Sequence, residues 1–104
     1  MNILKHGLLM LAFLPAVALS AENMSNKTIK EIIVNLNTGI HFQINETMVN
    51  PDACSSATWY KIESDSKYEK EALSLLLAYE AQSKPITFSL EGCTGGYPKV
   101  KYIH

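Results

Sequence analysis

The sequence predicts a small, mainly β domain carrying one helix. Three observations make that prediction: apolar and polar residues alternate from Ile40 to Asn45, a helical apolar stripe runs from Tyr68 to Tyr79, and two further alternating runs follow Pro85. Size limits what can be built. Of the 104 residues, the first twenty read as an export signal, which leaves 84 to fold: one small domain and too few for two. Charged residues make up 18% and hydrophobic residues 47%, a balance that excludes a disordered chain.

In residues 1–20, Lys5 supplies the positive n-region, Gly7 to Leu14 the apolar core, and Pro15 breaks the helix ahead of small residues. Ala18-Leu19-Ser20 is the preferred cleavage motif, with Ala16-Val17-Ala18 as the other. An uncleaved anchor is the alternative reading, but an apolar run this short, broken by proline, spans a bilayer of about 30 Å poorly. Residues 21–27 (AENMSNK) are polar and aperiodic, so they are expected to form a flexible leader. Residues 28–104 are then the domain.

From Thr28 to Leu36 the chain is β-branched and apolar. Asn37-Thr38-Gly39 is a turn, and Ile40, Phe42 and Ile44 then alternate with His41, Gln43 and Asn45, which makes a hairpin with one greasy face. Met48 to Ser56 has loop composition and contains Cys54. Thr58 to Glu63 reads as a third strand, rich in aromatic and β-branched residues. Ser66 followed by Glu69 is a capping-box pattern, and the helix it opens runs to about Gln82. Tyr68, Ala72, Leu75, Leu76 and Tyr79 form its apolar stripe. Leu73 and Leu77 widen it, either as part of an ordinary buried helix or as a contact with a partner subunit. Ile86, Phe88 and Leu90 alternate with polar residues in a fourth strand, Gly92 to Gly96 is a turn, and Tyr97 to Ile103 is a fifth strand. The order, strand-strand-strand-helix-strand-strand, is that of the OB-fold, a five-stranded barrel with its helix between strands three and four. A half-open sheet packed on one helix gives the same string.

Chemistry is sparse. Two cysteines in an exported chain, Cys54 and Cys93, read as a disulfide, with free thiols or a metal pair as alternatives. After signal removal only His41 and His104 remain; His41 is expected to be an exposed strand residue. No nucleophile elbow, metal-ligand cluster or phosphate-cradling loop is present, so neither an enzyme nor a cofactor is expected. All nine basic residues are lysines. A net charge of −1 and the lack of arginine exclude the positive field that nucleic acid requires. Three Asn-x-Ser/Thr sequons, at Asn23, Asn26 and Asn45, are glycan acceptors only if the chain passes through a eukaryotic secretory route. Aromatic residues fill cores or stack on sugars. Trp59 alternates with Tyr60, so it faces outward if Tyr60 faces the interior. Tyr97, with Lys99 and Lys101 nearby, is the other candidate, suited to an acidic sugar.

Ala53-Cys54-Ser55, Trp59, the helix segment LSLLLAY from Leu73 to Tyr79, Ser83-Lys84-Pro85-Ile86-Thr87-Phe88 and Tyr97-Pro98 together resemble the B subunits of bacterial B-pentamer toxins of the subtilase cytotoxin and typhoid toxin type. The resemblance covers about half the chain. It implies an OB-fold subunit that assembles into a ring, binds host glycans and serves a toxin A subunit. In such rings the helices line the centre, which gives Leu73 and Leu77 a purpose as oligomer contacts. This chain is shorter than the pattern after its last strand. No sugar-contacting residue of the family carries over to a matching position.

The expectation is a secreted or periplasmic glycan-binding module, with Trp59, Tyr97 and Lys99 as its candidate contacts. The rivals are a periplasmic structural or inhibitory protein that binds another protein, and a small hydrolase relying on His41.

Overall fold

The computed structural model describes residues 22–104. The export signal, its cleavage zone and Ala21 lie outside the described residues.

Six strands and one helix follow in order: β1 Glu22–Lys27, β2 Ile29–Asn35, β3 Gly39–Ile44, β4 Tyr60–Lys61, α1 Glu69–Ala81, β5 Ile86–Thr94 and β6 Tyr97–Ile103. The strands make one mixed sheet in the order β1-β5-β6-β4-β3-β2. Every neighbouring pair is antiparallel except β4 and β6, which run parallel. Among the described residues the fold is therefore mainly β with one helix, as expected, but with six strands instead of five.

The extra strand is the segment read as a leader. Its residues are polar because only one of them faces the core: Met24 is buried opposite Phe88, and the others stay exposed or half-buried while their backbone pairs with β5. A single residue, Thr28, separates β1 from β2. Glu46 grips it, accepting from the Thr28 amide at 3.0 Å and from its hydroxyl at 3.1 Å. Asn45 adds two more bonds: its amide donates to the Thr28 carbonyl at 2.9 Å and its side chain to the Thr28 hydroxyl at 2.9 Å.

The β2–β3 hairpin turns where the sequence says. The Asn35 side chain accepts from the amides of Asn37 and Thr38, at 2.8 and 3.1 Å, and Gly39 takes φ +108°, which a residue with a Cβ rarely adopts. Across β3, Ile40, Phe42 and Ile44 enter the core. There Phe42, Tyr60 and Phe88 form a fully buried ring cluster with centroids 5.1 to 5.5 Å apart, and Leu76 of α1 joins the same core. The Tyr60 hydroxyl accepts from the Val49 amide at 3.0 Å, so the polar tip of this buried residue is satisfied.

The third predicted strand shrinks to Tyr60–Lys61. Beside it, the Gln43 side chain donates to the Thr58 carbonyl at 2.8 Å, where a backbone ladder bond would otherwise lie. The Cys54–Cys93 disulfide, expected from the sequence, joins the loop before β4 to β5. The Ser56 amide donates to the Gly96 carbonyl at 2.8 Å, which draws that loop onto the β5–β6 turn. Gly96 takes φ +86°, which a residue with a Cβ rarely adopts, and a Cβ there would also have to displace the Ser55 hydroxyl, 2.8 Å away. That turn sits at Gly95-Gly96; Gly92 and Cys93, predicted as part of it, belong to β5.

Helix α1 keeps its predicted core stripe at Ala72, Leu75, Leu76 and Tyr79, but it starts later than the capping box implies. Tyr68 holds the N-cap position without a side-chain bond. Ser66 instead accepts from the Tyr68 amide at 3.3 Å, too early in the chain to cap the helix, and Tyr68 is 62% exposed. At the other end Ser83 adopts φ +53° and the Lys84 amide donates to the Tyr79 carbonyl, closing the helix before Pro85. No helix among the described residues is long and apolar enough to cross a membrane. The disulfide fits an extracellular or periplasmic location.

Candidate functional site

Alternation in β3 sends Ile40, Phe42 and Ile44 into the core, so His41 and Gln43 belong to the opposite face of the sheet. Register extends that face across three strands. His41 is paired with Lys61 on β4, and Lys61 with Lys99 on β6; cross-strand partners share a face. Tyr97, two residues before Lys99, joins them. Trp59 lies in the loop immediately before β4, outside the strand pairing. Tyr97 and Lys99 share one face of β6, and all three candidate contacts are half-buried.

Two residues of this face differ from what the sequence suggests. His41, expected to be exposed, is only 6% accessible. Its ring meets that of Tyr97 nearly perpendicularly, with centroids 5.1 Å apart. Since β4 lies between β3 and β6, this contact reaches over the strand that carries Lys61. Lys61, which no sequence signal singles out, is 3% exposed, with its stem packed beside Gly95 and its ammonium donating to the Ser64 hydroxyl at 3.3 Å. Ser64 in turn donates to the Thr38 carbonyl at 3.4 Å. Alternation places His41 on a face. It does not say that Tyr97, distant in sequence, covers that face.

The electrostatics are mildly basic and uneven. Lys99 pairs loosely with Glu63 at 3.9 Å, and Lys101 is held by Glu91 at 2.7 Å, which leaves Lys101 a poor recruit for a ligand. Burial holds the His41 imidazole below its usual range; a bond to the Gly39 carbonyl at 3.2 Å works the other way, and the charge on Lys61 adds to the lowering. The balance of these influences favours the neutral ring. Its partners on this face are a carbonyl, a tyrosine ring and a lysine, which do not make a hydrolytic constellation. Among the described residues no group of three or more His, Cys, Asp or Glu is placed to hold a metal ion.

The predicted oligomer contacts lie elsewhere. Leu73 is half-buried against the core and lines a depression of about 400 Å³ with Val34, Leu36 and Glu69, whereas Leu77 is 47% exposed. Leu36, the first residue of the hairpin turn, is 95% exposed. Of the three sequons, Asn23 accepts from the Tyr102 hydroxyl at 2.8 Å and Asn45 is bonded to Thr28, while Asn26 is exposed with φ +57°.

No family model, no curated protein and no solved structure matches this chain.

Proposed function

We propose that the chain is an exported glycan-binding module, built as an OB-type barrel and using the face formed by β3, β4 and β6. The observation that supports this reading is the presence of Gln43 on β3 and of Tyr97 and Lys99 on β6 on one side of the sheet, to either side of β4, with half-buried Trp59 directly preceding β4. Aromatic rings stack on the apolar faces of sugars, while an amide and an ammonium recognise hydroxyls or a carboxylate.

The barrel reading draws on topology. Leaving β1 aside, the order β2-β3-β4-β6-β5 contains one parallel pair, β4 with β6, as the strand order of an OB-fold does. β1 and β2, at the two ends of the order, are consecutive through Thr28, so together they serve as one bent first strand that pairs with β5 and β3 in turn. In that scheme the second and third barrel strands are β3 and β4, and OB-folds bind oligosaccharides on those two strands. The resemblance to toxin B subunits extends the proposal to a homo-oligomeric ring, a pentamer, acting with an A subunit. Exposed Leu36 and Leu77 are the residues such an assembly would cover.

The test is a glycan array with protein whose assembly state is set by native mass spectrometry. Binding that Trp59→Ala or Tyr97→Ala weakens at least about tenfold, the scale of losing one well-buried stacking contact, supports the reading. An array without hits at any assembly state overturns it. The exposed apolar residues Leu36, Val34 and Leu77 favour a second reading, an exported protein that binds another protein and no sugar. One stable partner in a pull-down, together with an empty array, selects that reading.

A further inference from the structure

The ring contact between His41 and Tyr97 has an unusual setting. It joins two strands that are not neighbours, β3 and β6, and the strand between them carries buried Lys61, the cross-strand partner of His41. On β4 the charged group facing His41 is Lys61; on β6 the groups are Tyr97 and Lys99; on β3 itself the neighbour is neutral Gln43. On β2 the partner of His41 is Ile33, and Glu31, opposite Gln43, is the charged residue of that strand on this face. Two further carboxylates come near this region. Glu63 is already paired with Lys99, and Glu69 of α1 packs beside Gly39, close enough to crowd a Cβ there at 3.3 Å. Neither forms an ion pair with the imidazole among the described residues. The Gly39 carbonyl can accept from one ring nitrogen only.

A second proton on this ring is therefore poorly accommodated. It adds a cation beside the buried cation of Lys61, in a place where little water reaches. The face of Tyr97 offers some attraction to a cation, but an imidazolium is better served by water, and the half-buried ring of Tyr97 is packed against it. We propose that His41 makes this face acid-labile: in mild acid its ring gains a proton, parts from Tyr97, and dismantles the surface on which Tyr97 and Trp59 are presented. The binding half of this inference rests on the glycan-face reading above; the conformational half does not. A ligand held at neutral pH is then released on acidification, with affinity falling by up to about tenfold per pH unit below the titration of His41.

The deciding experiment uses ligand-free wild-type protein. Aromatic carbon–proton NMR spectra are recorded from pH 7.5 down to pH 5. The expected result is that the Tyr97 ring resonances and the Trp59 indole signal move with the same midpoint as the His41 ring, and that these movements vanish in His41→Phe, which keeps a ring but takes no proton. If His41 titrates while Tyr97 stays still, or if Tyr97 moves equally in His41→Phe, the inference is overturned. The wild-type titration is decisive even if the variant fails to fold. With any glycan the array identifies, dissociation should quicken on going from pH 7 to pH 5; unchanged dissociation overturns the release. An array without hits defeats the glycan reading alone, because the ring measurement needs no ligand.

Discussion

Replacing both cysteines, Cys54→Ala with Cys93→Ala, removes the only cross-link the chain can form. The bridged residues are 39 apart in sequence. In the chain-entropy account, closing a loop of that length restricts the unfolded chain enough to stabilise the fold by about 4 kcal/mol. The native state loses much less. Cys93 is exposed, and the loop around Cys54 has holds of its own: the Asn50 side chain accepts from the Cys54 amide at 2.8 Å and donates to its carbonyl at 2.9 Å, while Asp52 accepts from the Gly92 amide at 2.7 Å. The double variant should therefore keep a native circular dichroism spectrum and lose stability mainly through its unfolded state. For a domain of this size the loss corresponds to a fall in Tm of roughly 16–30 °C. Urea unfolding separates the causes. The midpoint should drop, and the slope should rise because an uncrosslinked chain exposes more surface. A loss below about 1 kcal/mol with an unchanged slope would refute the entropic reasoning and show that Asn50 and Asp52 hold this loop unaided.

Two further perturbations address the core and the joint between β1 and β2. Phe42→Ala empties the centre of the Phe42–Tyr60–Phe88 cluster, where Phe42 is fully buried, and should cost about 3–5 kcal/mol in calorimetry. A cost below about 1.5 kcal/mol would mean that the cluster collapses onto the gap. Glu46 is a pH-sensitive grip: burial favours its neutral form, but hydrogen bonds from the Thr28 amide, its own amide and the Thr28 hydroxyl outweigh that, and its carboxyl lies below its usual range. A depressed acid stabilises the fold above its unfolded pKa and loses that contribution as pH falls through the folded one. Glu46→Gln should therefore lower the urea midpoint at pH 7 and flatten its decline below about pH 4.5. Parallel curves for the two proteins would sink the idea.

Legibility in the sequence tracks how local each determinant is. The β2–β3 hairpin, the core stripe of α1 and the limits of β6 can be read because period two, period 3.6 and Gly-Gly punctuation are short-range signals. The disulfide follows from counting cysteines in a chain expected, from its first twenty residues, to be exported. β1 cannot be read, since its six residues contribute one core side chain, Met24, and otherwise only backbone pairing to a strand near the other end of the chain. The helix start is misleading because Ser66 and Glu69 have capping-box spacing, yet Glu69 packs against the hairpin at Gly39 and Ser66 serves a preceding turn. At the candidate site, Tyr97 and Lys99 can be grouped from strand parity alone, whereas Trp59 falls outside β4, which starts at Tyr60. The burial of His41 and Lys61 cannot, because it depends on which strand lies between β3 and β6.

The pairing of β1 with β5 also sets an order of events for folding. The β2–β3 hairpin closes across a short turn, at small entropic cost. β1 has no such shortcut: Met24 must find Phe88, and β5 is delivered only after the helix. Until then the edge of β5 that β1 will cover stands open, an unpaired row of amides and carbonyls available to any other extended chain. Loop-closure entropy therefore favours docking of the first strand as a late step of assembly. A chain handed across a membrane from its N-terminus would leave that strand waiting, partnerless, for nearly everything else to arrive.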